Sequence, residues 1–264
     1  MSFILKYLLV KFILKHLLAP KCTAAARPTF FRKSCQNSIM LFLTSPTVEE
    51  IAGSLPLGYV WELVAIFIAG LAGGIAGIRK GFDLFGVLVL AWTTSLFGGV
   101  LRDVMIGALP PVGIANWRFF VSAVAGGAAA YFLVAYVRKL NRSIIILDAF
   151  ALALFVWVGT LKGLNNGMGL LASAVVGVLT GIGGGLVRDM LTNQVPLVLS
   201  DRQYYAIPAC CGAAALVALF SIGWLNVWTS IAVMAGIVAF RLFALKLHLA
   251  VPTPQHWLDH RSND

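Results

Sequence analysis

Two segments of this sequence share a pattern that can do chemistry in an apolar setting: Gly98-Gly99-Val100-Leu101-Arg102-Asp103 and Gly184-Gly185-Leu186-Val187-Arg188-Asp189. Each places glycines, extended to three by Gly183 in the second copy, ahead of an Arg-Asp pair late in a long apolar run. Consecutive glycines weaken a helix by roughly 1 kcal/mol each relative to alanine and permit kinks or close backbone approach. In hydrocarbon a freed carbonyl must be buried in protein or face water. A helix broken at Gly98-Gly99 and at Gly183-Gly184-Gly185 would thus offer backbone oxygens to a cation along a wet pathway. Close helix packing is the alternative use of the same glycines.

The charged pairs extend this reading. Neighbours in sequence do not face each other on a helix, so Arg102 and Arg188 are expected to find partners elsewhere. One arrangement crosses a pseudo-two-fold axis, with Arg102 near Asp189 and Arg188 near Asp103. The alternative has each pair capping its helix at the membrane interface. Ionisable groups within spans usually face a bundle interior or water and mark function. Thr94 and Thr180 lie four residues before Gly98 and Gly184, on the same helical face. Their hydroxyls either line a pathway or bond back to the preceding turn. Glu62 and Asp148 sit near the starts of two apolar runs, as dipole partners or as a cation-attracting vestibule. Lys162 closes one run and is expected to snorkel, with gating as the lesser reading. Pro110 and Pro196 are expected to stop the helices that carry the motif.

Other chemistries find no support. The four histidines (His16, His248, His256, His260) lie near the ends of the chain, and no metal-ligand spacing, nucleophile elbow or P-loop occurs. The adjacent Cys210 and Cys211 are poorly placed to pair with each other and read as small buried hydrophobes. An enzyme is not expected, nor a cofactor beyond a transported monovalent cation and bound lipid. The composition agrees: 60% of the 264 residues are hydrophobic and 11% charged, against about 25% charged in soluble domains.

Seven runs approach the roughly 20 residues needed to cross a bilayer. They are Val60–Ile78, Leu84–Leu101, Phe119–Val137, Ser143–Leu161, Met168–Val187, Tyr204–Trp224 and Leu225–Phe240. The last reaches Leu247 if Arg241 and Lys246 snorkel, with Gly223 and Asn226 making the turn before it. Basic residues in the connections fall mostly on one side, among them Arg79, Lys80, Arg138, Lys139, Arg142 and Arg202, with only Arg118 and Lys162 opposite. The bias predicts an outside N-terminus and a cytoplasmic C-terminus.

Residues 1–39 carry seven basic residues and no acid, which conflicts with that orientation. A targeting segment, an interfacial amphipathic helix and a start codon assigned too early, with Met40 the true start, compete as explanations. The last is preferred. Without those residues the formal charge falls from +10 to +3, so no nucleic-acid partner is inferred. The remaining divisions are a tail at 40–57, a first three-helix repeat at 58–142, a second at 143–224, a seventh helix at 225–247 and a tail at 248–264.

The repeat is explicit. At an offset of 86 residues, 13 of 54 ungapped positions between Val60 and Gly113 are identical. Glu62 meets Asp148, and Gly73, Gly77, Gly81, Thr94 and Pro110 meet Gly159, Gly163, Gly167, Thr180 and Pro196. Three spans per copy force the second to enter from the opposite side. The expected fold is therefore all-α, seven transmembrane helices as two inverted three-helix repeats plus one extra helix, an architecture of transporters and channels with a pathway between the copies.

At Phe97-Gly-Gly-Val-Leu-Arg-Asp and Gly183-Gly-Gly-Leu-Val-Arg-Asp, each followed by a proline segment (Leu109-Pro-Pro-Val and Val195-Pro-Leu-Val), the sequence resembles the bacterial branch of the trimeric intracellular cation (TRIC) channel family. The resemblance runs from about Gly58 to Leu247. It implies a homotrimer in the bacterial inner membrane, a pore in each protomer kinked at the glycines of spans two and five, and passage of monovalent cations such as potassium. Members of this branch are also described as glycine transporters, which makes a small amino acid carrier the alternative. Phe97 stands where the second copy has Gly183, so the two kinks need not be equivalent. The Lys-Glu-Gly-Gly lipid-binding motif of the animal relatives is absent.

Overall fold

The structure is a computed structural model, described here for residues 57–132, 143–200 and 206–247. The expectations for residues 1–39, 40–56, the end of the third span with Arg138, Lys139 and Arg142, Arg202, and 248–264 concern residues outside this description. The described elements are all helices: α1 (Leu57–Arg79), α2 (Leu84–Met105), α3 (Val112–Ala115), α4 (Trp117–Phe132), α5 (Ser143–Asn165), α6 (Leu170–Leu191), α7 (Leu197–Ser200), α8 (Ala206–Ser221) and α9 (Val227–Lys246).

The repeat is visible in helix lengths. α1 to α4 run 23, 22, 4 and 16 residues, and α5 to α8 run 23, 22, 4 and 16. Its turns repeat too. Gly81 and Gly167, 86 residues apart in the sequence, take φ of 77° and 73°, a region that costs glycine nothing. The turns ending α2 and α6 use Gly107 and Asn193 with φ of 73° and 51°, asparagine being the other residue that tolerates this region. α9 starts with a reciprocal cap, in which Asn226 Oδ1 accepts from the Thr229 N–H and Thr229 Oγ1 accepts from the Asn226 N–H. The expected turn at Gly223 is there, with φ of 73°.

Five helices, α1, α2, α5, α6 and α9, are long and apolar enough to cross a bilayer, and α8 is a shorter apolar helix. α5 is the axis of the bundle, packing against α1, α6, α8 and α9. Every residue from Ala151 to Leu161 is buried, as expected of a helix that is apolar all round. The two copies meet along α1 with α5 and along α2 with α6.

Three expectations need correction. The short helices α3 and α7 were not anticipated, and Pro110–Pro111 and Pro196 lead into them rather than ending α2 and α6, since a helix start has no use for the missing N–H. Arg241 does not snorkel: it is 0% exposed. Cys210 and Cys211 are exposed, not buried, because the inward face of α8 is taken by Pro208, Ala209, Gly212, Ala213 and Leu216.

Candidate functional site

α2 and α6 run as continuous helix through their glycines, so the expected break is absent. The glycines instead let the two helices cross with backbone on backbone. A Cβ on Gly98 would collide with the carbonyl oxygen of Thr180, and one on Gly184 with that of Thr94. Gly183 faces the Cα of Gly98. This reciprocal contact is the packing use of small residues in membranes, and it brings Cα–H groups against carbonyl oxygens. Gly99 does not share in it, its nearest neighbour being an Arg102 nitrogen 3.8 Å from a built Cβ. Thr94 and Thr180 donate their hydroxyl protons to Leu90 and Val176 carbonyls at 2.6 Å. Of the two readings, the bond to the preceding turn is the one seen. Gly73 and Gly159 make room for these threonines on α1 and α5.

Beyond the crossing, each arginine pairs with two carboxylates of its own repeat in a buried cluster. Arg102 reaches Glu62 Oε1 at 2.9 Å and Asp103 Oδ1 at 2.8 Å, and Glu62 also accepts from Lys162 Nζ at 3.0 Å. Arg188 reaches Asp148 Oδ1 and Asp189 Oδ1, both at 2.9 Å. The crossed arrangement is thus not the one adopted. Adjacent residues do pair here, because the arginine near the helix end can fold back while the carboxylate turns past that end. The second Asp103 oxygen accepts from the Val112 N–H and that of Asp189 from the Leu197 N–H, each at 2.9 Å. Both aspartates thereby tie their helix to the first residue of the short helix that follows, where N–H groups lack intrahelical partners.

Glu62 and Asp148 are neither simple dipole partners nor free vestibule charges, since each holds an arginine and is 7% exposed. Lys162 is the asymmetric member: its amine lies on Glu62 and its side chain is 28% exposed. Its counterpart 86 residues earlier is Ala76. On α5, Asp148 and Lys162 are separated by 14 residues, roughly 21 Å at the helical rise, so the clusters lie toward opposite ends of the bundle with the glycine crossing between. A cavity of about 350 Å³ borders Glu62 and Lys162. A small one of about 10 Å³, large enough for one water, borders Thr94, Asp148, Gly181, Gly184 and Gly185.

The sequence and the fold are shared with known proteins. The family model described as Glycine transporter matches residues 59–135 and again 145–221, the same 86-residue offset. The inner membrane protein YadS of Escherichia coli is 31% identical over 201 residues, covering 75% of this chain and 96% of its own. The UPF0126 membrane protein of Deinococcus radiodurans is 36% identical over 176 residues, 66% of this chain and 79% of its own. The TRIC channel orthologue of Rhodobacter sphaeroides superposes with a TM-score of 0.70 at 27% identity, over 74% of this chain and all of its own. A structure solved for conductance through TRIC cation channels gives 0.67 at 26%, over 74% and 95%.

The chain belongs to the bacterial TRIC family. Within that family it is an all-helical membrane protein whose glycine transporter model spans both repeats. Sequence reasoning missed Glu62 and Asp148 as the partners of Arg102 and Arg188, and Lys162 as a second partner of Glu62. The sequence shows only an acid near the start of one apolar run and a base at the end of another, 100 residues apart.

Proposed function

We propose that this protein is a homotrimeric inner-membrane channel for monovalent cations such as potassium, with one pathway per protomer between two inverted three-helix repeats. The observation that carries this reading is the pair of carboxylate-bearing clusters at opposite ends of the glycine crossing, Glu62 with Asp103 and Asp148 with Asp189. The charged groups of both clusters are buried in the bundle between the repeats, where transport pathways run. The likeness to solved TRIC cation channels supports the same conclusion. Opening requires α2 and α6 to part at Gly98 and Gly184, since those backbones are in contact. The charge bias of the connections supports an outside N-terminus.

The test is potassium flux in proteoliposomes, with Lys162→Gln beside the native protein. Removing a positive charge from one mouth raises flux, a gain that misfolding does not produce. Flux at the level of protein-free vesicles in both overturns the reading. The match to the glycine transporter model favours a second reading, a carrier for a small amino acid. A carrier saturates and shows counterflow of radiolabelled glycine, whereas a channel shows unitary currents and no counterflow.

A further inference from the structure

The connection between α2 and α4 is attached to the bundle by few contacts. Residues 107–116, α3 included, contain no buried residue, and Leu109 and Ile114 are exposed. An element with so little buried apolar surface belongs to the low end of local stability. Its inner side nevertheless covers other groups. Val112 lines the cavity of about 350 Å³ beside Glu62 and Lys162. Gly113 packs on the side chain of Leu96 in α2, which is buried and whose Cδ2 is 3.5 Å from a Cβ built on that glycine.

Two hydrogen bonds hold this connection down. At the start of α3 the Val112 N–H donates to Asp103 Oδ2 at 2.9 Å, and just past its end Asn116 Nδ2 donates to the Tyr59 hydroxyl oxygen at 3.2 Å. The first tie belongs to the ion-pair cluster, because Asp103 also holds Arg102 and Arg102 holds Glu62. The second stands outside it. Ahead of both, Gly107 takes φ of 73° with nothing within 4 Å of a built Cβ, a position able to absorb a change of backbone angle. The second repeat has an equivalent of the first tie, since Asp189 accepts from the Leu197 N–H. At the positions of Tyr59 and Asn116 it has Ile145 and Arg202, and an isoleucine side chain accepts no hydrogen bond. We propose that residues 107–116 form a lid over the Glu62–Lys162 cavity, hinged at Gly107 and latched by Asn116 on Tyr59, so that release of the latch admits water and cations to the cavity. Admission of cations rests on the channel reading, whereas movement of the lid does not. The Tyr59–Asn116 latch belongs to one end of the inverted pair.

The experiment follows the rate at which N-ethylmaleimide labels Leu96→Cys in the otherwise cysteine-free full chain in proteoliposomes, with and without Tyr59→Phe. That substitution keeps the ring, whose centroid lies 5.2 Å from that of Phe119, and removes only the hydroxyl. The expected result is labelling about fivefold faster, the worth of one hydrogen bond, with potassium flux raised by a similar factor. Val176→Cys, a buried site on α6, labels at the same rate with or without Tyr59→Phe, which distinguishes lid opening from general loosening. Asn116→Ser keeps an acceptor for the Arg118 N–H that Asn116 Oδ1 now serves but is too short to reach Tyr59. In that background labelling is already fast and Tyr59→Phe adds nothing, since the two residues make a single contact. Unchanged labelling of Leu96→Cys, equal acceleration at Val176→Cys, or additive effects of Tyr59→Phe and Asn116→Ser overturns the lid. Faster labelling with unchanged flux in a conducting protein overturns it as a control of access. Latch-dependent labelling without flux from any variant supports the lid and removes the channel reading alone.

Discussion

Arg102 and Arg188 are each 1% exposed and each contact two carboxylates. Removing one member of a buried pair strands a charge at a cost of about 3–5 kcal/mol, while a partly exposed pair contributes about 1 kcal/mol or less. Arg188→Met and Glu62→Gln should therefore lower thermal stability in detergent far more than Lys162→Gln, which leaves Glu62 with Arg102. The pairing scheme has its own test. A double-mutant cycle between Glu62 and Arg102 should show strong coupling in stability, whereas Arg102 with Asp189 should be additive within about 0.5 kcal/mol. Coupling of Arg102 to Asp189 as large as to Glu62 would revive the crossed arrangement.

The contact of α2 with α6 turns on the absence of two Cβ atoms. In Gly98→Ala and Gly184→Ala a methyl meets a backbone carbonyl, which has no rotamer through which to yield. Each change should cost about 1–3 kcal/mol as overpacking, lower thermal stability, and alter potassium flux by holding the helices apart. Gly99→Ala, adjacent in sequence, meets only an Arg102 nitrogen at the ordinary contact distance of 3.8 Å and should be neutral or stabilising by up to about 1 kcal/mol through helix propensity. Equal destabilisation by Gly98→Ala and Gly99→Ala in a melting assay would mean that the crossing is not what the glycines serve.

Across the whole molecule, apolar side chains on α2, α8 and α9 face outward, among them Phe97, Ile207, Trp228 and Phe243, toward lipid or neighbouring protomers. The homotrimer reading predicts a three-chain product on crosslinking in mild detergent, and monomer alone would remove it. Orientation is read by labelling single cysteines in a cysteine-free background with a membrane-impermeant maleimide. Asn116→Cys, in the connection between α3 and α4, should react in intact cells, and Lys80→Cys, between α1 and α2, only after lysis. The reverse pattern would invert the topology.

The repeat, the helix positions and the residues worth inspecting were legible in the sequence, because each is a local property. Apolar length sets a span, glycine and proline types set turns, and an 86-residue offset in Gly, Arg, Asp and Pro survives substitution among interchangeable apolar residues. Even the glycine pairs announced their two possible uses, broken helix or close contact, without choosing between them. That choice needed the tertiary structure, since it depends on whether another backbone lies within reach: the carbonyls of Thr180 and Thr94 do. The partners of the arginines were equally out of reach. Glu62 and Arg102 are 40 residues apart and Lys162 lies 100 from Glu62, and only the packing of α1, α2 and α5 sets which charges meet. Sequence determined which groups are present in the bilayer; the fold decided how each is compensated, because burying charge is tolerable only where an opposite charge arrives from another helix.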